Sequence, residues 1–338
     1  MSRYPQKPTD LTGLKTVSLH GRGGKVHTGL FATPHEAGAT MGAWLDSLPR
    51  LLAADSLRAV AGAIWDARLA GKPVMWGIGG HVIKCGLAPL LLDLAQRGFA
   101  TSFSMNGAAA IHDLEIALAG YTSEDVEAVL PDGSFGSAEE TGREFNQALI
   151  EAARDGIGAG EALARKAAEL VNPEFAKFSL LCGAHAAATP VTVHIAVGTD
   201  TPHTHPHVDG AAMGAATHHD FRLICTLVRG LDQGGVYVNL GSAVVMPEVF
   251  LKALSTVRNL GHAVRNFTTA NFDFLQHYRP KVNVVDRPHA QAGGKGYSIT
   301  GHHEILLPLL AALLVEREAA GLGDRDAARR FEREAAGR

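Results

Sequence analysis

Between Gly198 and Asp220 the sequence reads GTDTPHTHPHVDGAAMGAATHHD, which places five of the chain's 17 histidines within 23 residues. His203, His205 and His207 recur at period two, so on a strand their imidazoles would share a face, with Asp209 close behind, a donor set that suits zinc. Pro202 and Pro206 interrupt the same run and favour an irregular loop, in which the histidines would contact a substrate or have no chemical role. All three uses remain open on sequence grounds. His205 has the further potential of a base, because an imidazole titrates near neutral pH. The pairs in His218–Asp220 and His302–Glu304 read as helix starts, where a carboxylate meets the positive end of the dipole. Glu248 has that same plain explanation, set against a functional one at a turn that faces a crevice. Lys295, between glycines in GGKGYS, is either a solvated loop tip or, if desolvated, an amine nucleophile. Lys84 is a second candidate for that role.

The elements that must hold these residues alternate along the chain. PVMWGIGG (from Pro73), SFSMNG (from Ser102), PVTVHIAVGTD (from Pro190), GGVYVNLGSAVV (from Gly234) and RNFTTANFD (from Arg265) read as buried strands, most of them followed by segments of helical periodicity. This alternation predicts an α/β fold: a modified Rossmann-like, mostly parallel sheet with helices on both faces. Ligands of such sheets bind beyond the carboxyl ends of the strands. The unusual residues fall there: Gly79, Gly80 and His81; Asn106 and Gly107 through His112 and Asp113; Asp200 to Asp209; Gly241, Ser242 and Ala243 to Glu248; and Thr269, Ala270 and Asp273. Neither a G-x-G-x-x-G fingerprint nor a phosphate loop of G-x-x-x-x-G-K-[ST] spacing is present. The expected organisation is an N-terminal extension over 1–60 packing on the core, an α/β core over 61–316 with a helical insertion at about 124–173, and a charged tail over 317–338.

At 338 residues, 46% hydrophobic and 19% charged, the chain has enough apolar residues for a large core. Its net charge of −3 provides no basic footprint for nucleic acid or anionic lipid. No signal peptide and no membrane-spanning run are evident, so no membrane partner and a cytoplasmic location are expected. The three cysteines, Cys85, Cys182 and Cys225, lack CxxC spacing and read as structural thiols.

In order and spacing, MWGIGGHVIKCGL, MNGAAAIHDLEIAL, NLGSAVV, TTANFD and GYSITGHHEILLPLLAALL resemble motifs of the deoxyhypusine synthase family, from about Pro73 to Leu314. The resemblance implies NAD as cofactor, a homotetramer with sites shared between subunits, and oxidation of spermidine followed by transfer of an aminobutyl group through a lysine imine. It implies cofactor contacts at Gly79, Gly80, His81, Asn106, Gly107, His112, Asp113, Asp200, Gly241, Ser242, Ala243, Thr269, Ala270 and Asp273, and makes Lys295 the lysine nearest the family's catalytic segment; the residues' own chemistry adds His205 as a base and Glu248, Asp273 and Asp286 as negative charge for ammonium groups in catalysis. The alternatives are a metal-dependent enzyme, a hydrolase for example, using His203, His205 and His207, and a non-catalytic protein that binds cofactor or polyamine. The leading expectation needs no metal.

Overall fold

The computed structural model describes residues 2–336. Six strands form one parallel sheet: β1 Val74–Ile78, β2 Ser102–Asn106, β3 Val191–His194, β4 Val236–Leu240, β5 Thr268–Asp273 and β6 Lys295–Thr300, ordered β3-β2-β1-β4-β5-β6. The expected Rossmann-like α/β class is therefore present, with every strand pairing parallel. Because winding reverses between β1 and β4, the loops leaving these two strands part in opposite directions and open a crevice at their carboxyl ends.

Helices α1 Met41–Ser47 and α2 Leu52–Leu69 precede β1, and α3 Gly80–Lys84 and α4 Ala88–Gln96 connect β1 to β2. Between β2 and β3 lie α5 Gly107–Ala119, α6 Val126–Val129, α7 Glu139–Asp155, α8 Ala159–Leu170 and α9 Leu180–Ala186. Helix α10 Gly210–Arg229 leads to β4, and α11 Val245–Asn259 leads to β5. The short α12 Tyr278–Pro280 and a π-helical turn over Lys281–Asp286 lead to β6, and α13 His303–Ala336 follows.

Strands β1 and β4 are buried on both faces, which is why they read as unbroken apolar runs. Val74, Trp76 and Ile78 join one core with Val236, Val238 and Leu240, whereas Met75 and Tyr237 join a second core with Phe250 and Val228 on α11 and α10. The segment read as an insertion contributes to the first core, since Phe145 and Leu149 of α7 and Leu163 of α8 are buried in it. Residues 2–40 are exposed almost throughout, and residue 60 lies inside α2, whose Val60 and Ile64 are core residues. The strand expected from Pro190 ends at His194; Thr199 N donates to Ala196 O at 3.1 Å and Gly198 takes a φ of +87°, so the chain turns there.

Candidate functional site

A cleft of about 660 Å³ lies at the carboxyl ends of β2 and β3. Its walls are α5, the segment from Tyr121 to Thr141 and the loop Thr199–Thr201. Asn106 sets the start of α5 by accepting a hydrogen bond from Ala109 N at 3.0 Å, which aims His112 and Glu115, one turn on, into the cleft. His112 Nδ1 lies 2.7 Å from Thr122 Oγ1, which donates to Glu115, and Thr141 Oγ1 donates to the same carboxylate at 3.1 Å. Burial alone would raise the pKa of Glu115, but the bonds from His112, Thr122 and Thr141 outweigh it and hold the carboxyl below its ordinary range. Glu124, Glu140 and Asp200 also line the cleft, with Lys84 as its lysine. A cleft with four carboxylates and one ammonium favours a cationic ligand.

Asp200 packs its carboxylate against Gly107 at the start of α5, where no side chain could fit. Desolvation raises its pKa, opposed by His203, Thr199 and His112. Such a carboxylate accepts a proton more readily than a solvated one. His203 is held by Gly198 N, which donates to Nδ1 at 2.9 Å, while its Nε2 is buried without a partner.

At the β1–β4 reversal, Gly79 N donates to Leu240 O at 3.0 Å and Gly241 N to Phe272 O at 3.1 Å. A Cβ on Gly79 would collide with the carbonyl of Gly241, and one on Gly80 would press on Ala108 and His112, each at 3.2 Å. At position 79 only glycine permits these turns to meet. Ser242 Oγ accepts from Met246 N at 3.1 Å and so caps α11, while its carbonyl accepts from Asn239 Nδ2 at 2.9 Å. The turns Gly79–His81 and Gly241–Ala243 thus bring two stretches of small-residue backbone together at the reversal, where the phosphates of a dinucleotide would have to meet amides other than Gly79 N and Gly241 N, which are already bonded. The start of α5 does not fit them, because the Asp200 carboxylate already lies there.

Several expected site residues stand elsewhere. Lys295 is the first residue of β6 and pairs with Thr268, so it sits at the amino end of the sheet, a strand length of about 16 Å from the carboxyl-end loops. It is exposed, with its ammonium 4.8 Å over the Tyr297 ring. Thr269 and Ala270 occupy the same end of β5; Thr269 Oγ1 donates to Val284 O at 2.6 Å and meets His289 Nε2 at 2.8 Å. Asp273 is the one residue of that motif at the carboxyl end, 3.9 Å from His303 Nε2. Asp113 faces away from the cleft and caps α9, accepting from Ser179 Oγ, Leu180 N and Leu181 N at 2.7, 2.7 and 2.8 Å. Burial pushes its pKa up to about 6 despite these bonds. Glu248 is held on the outer side of α11 by Lys252, by Arg279 at 3.1 Å and by Asn283 at 3.0 Å, and its bond to Lys252 lowers its pKa. Asp286 pairs with Lys281 at 2.8 Å.

The histidine run forms a loop, and Asp209 caps α10 by accepting from Ala211 and Ala212 N at 2.9 Å each. His205 Nε2 lies 3.2 Å from Glu139 Oε2, and its Nδ1 accepts from His207 N at 3.2 Å. Glu139, not His203, joins His205 and His207 within 4.8 Å, which corrects the ligand set drawn from spacing alone. Missing from the sequence expectation were Glu115, Thr122, Glu124, Glu140 and Thr141. Only Glu115 had a usable signal, its position one helical turn after His112.

No family model matches the chain, and no curated protein matches it in sequence. Among solved structures it is similar to a conserved protein from Methanococcus maripaludis S2 provisionally assigned to the LOR/SDH group, at 16% identity and a TM-score of 0.47 over 79% of this chain and 71% of that one. It is also similar to AgrE in its ternary complex with ornithine and NAD+, at 14% identity and a TM-score of 0.49 over 78% of this chain and 33% of that one. A third is a protein from Entamoeba histolytica provisionally assigned as a deoxyhypusine synthase, at 9% identity and a TM-score of 0.48 over 84% of this chain and 96% of that one. Among the described residues no helix is long and apolar enough to cross a membrane.

Proposed function

We propose that the chain is an NAD-dependent enzyme that acts on a polyamine or related amine, with an alkylamine transfer as its reaction. The observation that carries this proposal is the acidic cleft of Glu115, Glu124, Glu140 and Asp200 beside a sheet reversal built from glycine turns. The turns Gly79–His81 and Gly241–Ala243 would hold the cofactor's phosphates, and NAD would supply a hydride acceptor. The carboxylates hold the ammonium groups of the amine. Asp200, with its raised pKa and its place at the floor of the cleft, takes the proton that an amine nitrogen must lose before oxidation at the adjacent carbon. Lys84, which lines the cleft, replaces Lys295 as the lysine available for an imine. The exposed apolar residues Val244, Phe274 and Leu275 on the carboxyl-end loops, with Tyr278 of α12 and Ile305 of α13, suit burial in a homo-oligomer, and we extend the proposal to a tetramer.

Calorimetry with NAD, and separately with spermidine, tests the two halves. Wild-type protein is expected to bind both, Gly241→Trp to lose NAD, and Asp200→Asn to lose most spermidine affinity. Equal NAD binding by wild type and Gly241→Trp removes the turn as the cofactor site; no NAD binding by wild type removes the cofactor itself. Incubation with both ligands followed by borohydride reduction and peptide mapping is expected to mark Lys84. Turnover by Lys84→Ala at the wild-type rate would end its role.

A further inference from the structure

At the mouth of the β1–β4 reversal, outside the acidic cleft, three side chains of different donor type converge. His81 and Cys85 lie one helical turn apart, with Cys85 N donating to His81 O at 2.9 Å, so their side chains leave the same face of the chain. Glu304, in the first turn of α13, faces them, and its Oε2 is 3.7 Å from Cys85 Sγ. One donor atom from each of the three lies within 4.8 Å of the others. The second oxygen of Glu304 is 3.7 Å from His302 Nδ1. In a tetrahedral zinc site with bonds of about 2.0–2.3 Å, ligand atoms stand roughly 3.3–3.8 Å apart. The Cys85–Glu304 edge already has that length, and the remaining edges close by rotation of the exposed His81 and Glu304 side chains.

We infer that His81, Cys85 and Glu304 form a binding site for a zinc-like divalent cation. The donor chemistry excludes magnesium and calcium, which take oxygen ligands, and suits a borderline-soft ion. A divalent ion would displace the thiol proton of Cys85 and neutralise the thiolate and the Glu304 carboxylate together. Three protein ligands leave a fourth position for water, the pattern of a site that does chemistry or binds a further ligand, in contrast to a closed structural site. The His81 side chain would then serve the metal, while its backbone stays in the turn assigned to the cofactor. This site does not depend on NAD or on the amine cleft.

Cobalt(II) titration of the full chain, with no nucleotide present, tests the inference, because cobalt bound to thiolate produces a charge-transfer band in the near ultraviolet. Wild-type protein is expected to show a saturable band at one equivalent, displaced by zinc. The band should vanish in Cys85→Ser and form with at least tenfold weaker affinity in His81→Ala and Glu304→Gln, each checked for an unchanged circular dichroism spectrum. Cys225→Ser and His205→Ala should retain it. The site is wrong if wild type shows no band, if the band survives Cys85→Ser, or if it disappears in Cys225→Ser. Cobalt bound without a thiolate band and lost in His205→Ala would also overturn it, moving the metal to Glu139, His205 and His207.

Discussion

The carboxylate of Asp200 fills the space that a side chain on Gly107 would need, so a larger residue at 107 would require that carboxylate to move. Gly107→Ala is therefore expected to displace Asp200 and to weaken spermidine binding about tenfold, comparable to Asp200→Asn. Because desolvation raises the pKa of Asp200, cation affinity should start to fall on acidification above the ordinary carboxylate range. Calorimetry as a function of pH checks this; an unchanged profile in Asp200→Asn would assign the cation to other carboxylates.

Tyr237 stacks on Phe250 with ring centroids 3.9 Å apart, yet its hydroxyl is buried without a hydrogen-bond partner. Burial raises its pKa far above that of a free phenol. Tyr237→Phe keeps the stacking and removes the unsatisfied group, so it should stabilise the fold by about 1 kcal/mol. Urea unfolding measures this, and a clear loss of stability would show that the hydroxyl has a partner in solution.

Two neighbouring buried groups give stability opposite pH dependences. Desolvation pushes Asp220 up to about 7, against bonds from Val193 N and Gly160 N, so between pH 4 and 7 the folded chain keeps a proton that the unfolded chain has released. Stability from this group is present below pH 4 and is lost as pH rises. Burial depresses His194 to about 3, so between pH 3 and 6.5 the unfolded chain holds a proton the folded chain lacks, and stability is lost as pH falls. Each slope is at most ~1.4 kcal/mol per pH unit, and they offset one another in the wild type. Relative to wild type, Asp220→Asn should gain stability steadily from pH 4 to 7, and His194→Gln should gain it from pH 6 to 4. Parallel curves for all three proteins would contradict both assignments.

Light scattering at micromolar concentration is expected to show a tetramer, with a Leu275→Glu, Tyr278→Glu double variant shifted to smaller species. A wild-type monomer would remove the shared-site part of the proposal.

The strands were legible because burial on both faces makes them continuous apolar runs, and Gly79, Gly80 and Gly241 because each follows such a run. Which end of a strand a residue occupies was much less legible. Lys295, between the glycines of GGKGYS, read as a solvated loop tip or an amine nucleophile, but pairing with Thr268 makes it the start of β6. Thr269 and Ala270 were expected beyond the fifth strand, but β5 runs through them, and of that motif Asp273 reaches the carboxyl end. Asp113 shows a different limit: one helix face carries His112 into the cleft while its neighbour turns inward to cap α9, and only tertiary packing reveals that partner. The cleft's outer wall was hidden because Thr122 and Thr141 reach Glu115 from 7 and 26 residues away, across breaks in the helix that follow no sequence period.

Everything from α5 to α9 lies between β2 and β3, strands that are adjacent in the sheet. Among the described residues β3, four residues at the sheet edge, pairs only with β2, so its place in the sheet rests on contacts far apart in sequence. The margin of the sheet that carries the loop with Asp200 is thus the part expected to dock last during folding and to open first in the native state. A ligand bridging α5 and that loop would act as a clasp, slowing amide exchange in β3 far more than in β4, and the occupied fraction of the protein would also be the fraction protected from proteolysis at that edge.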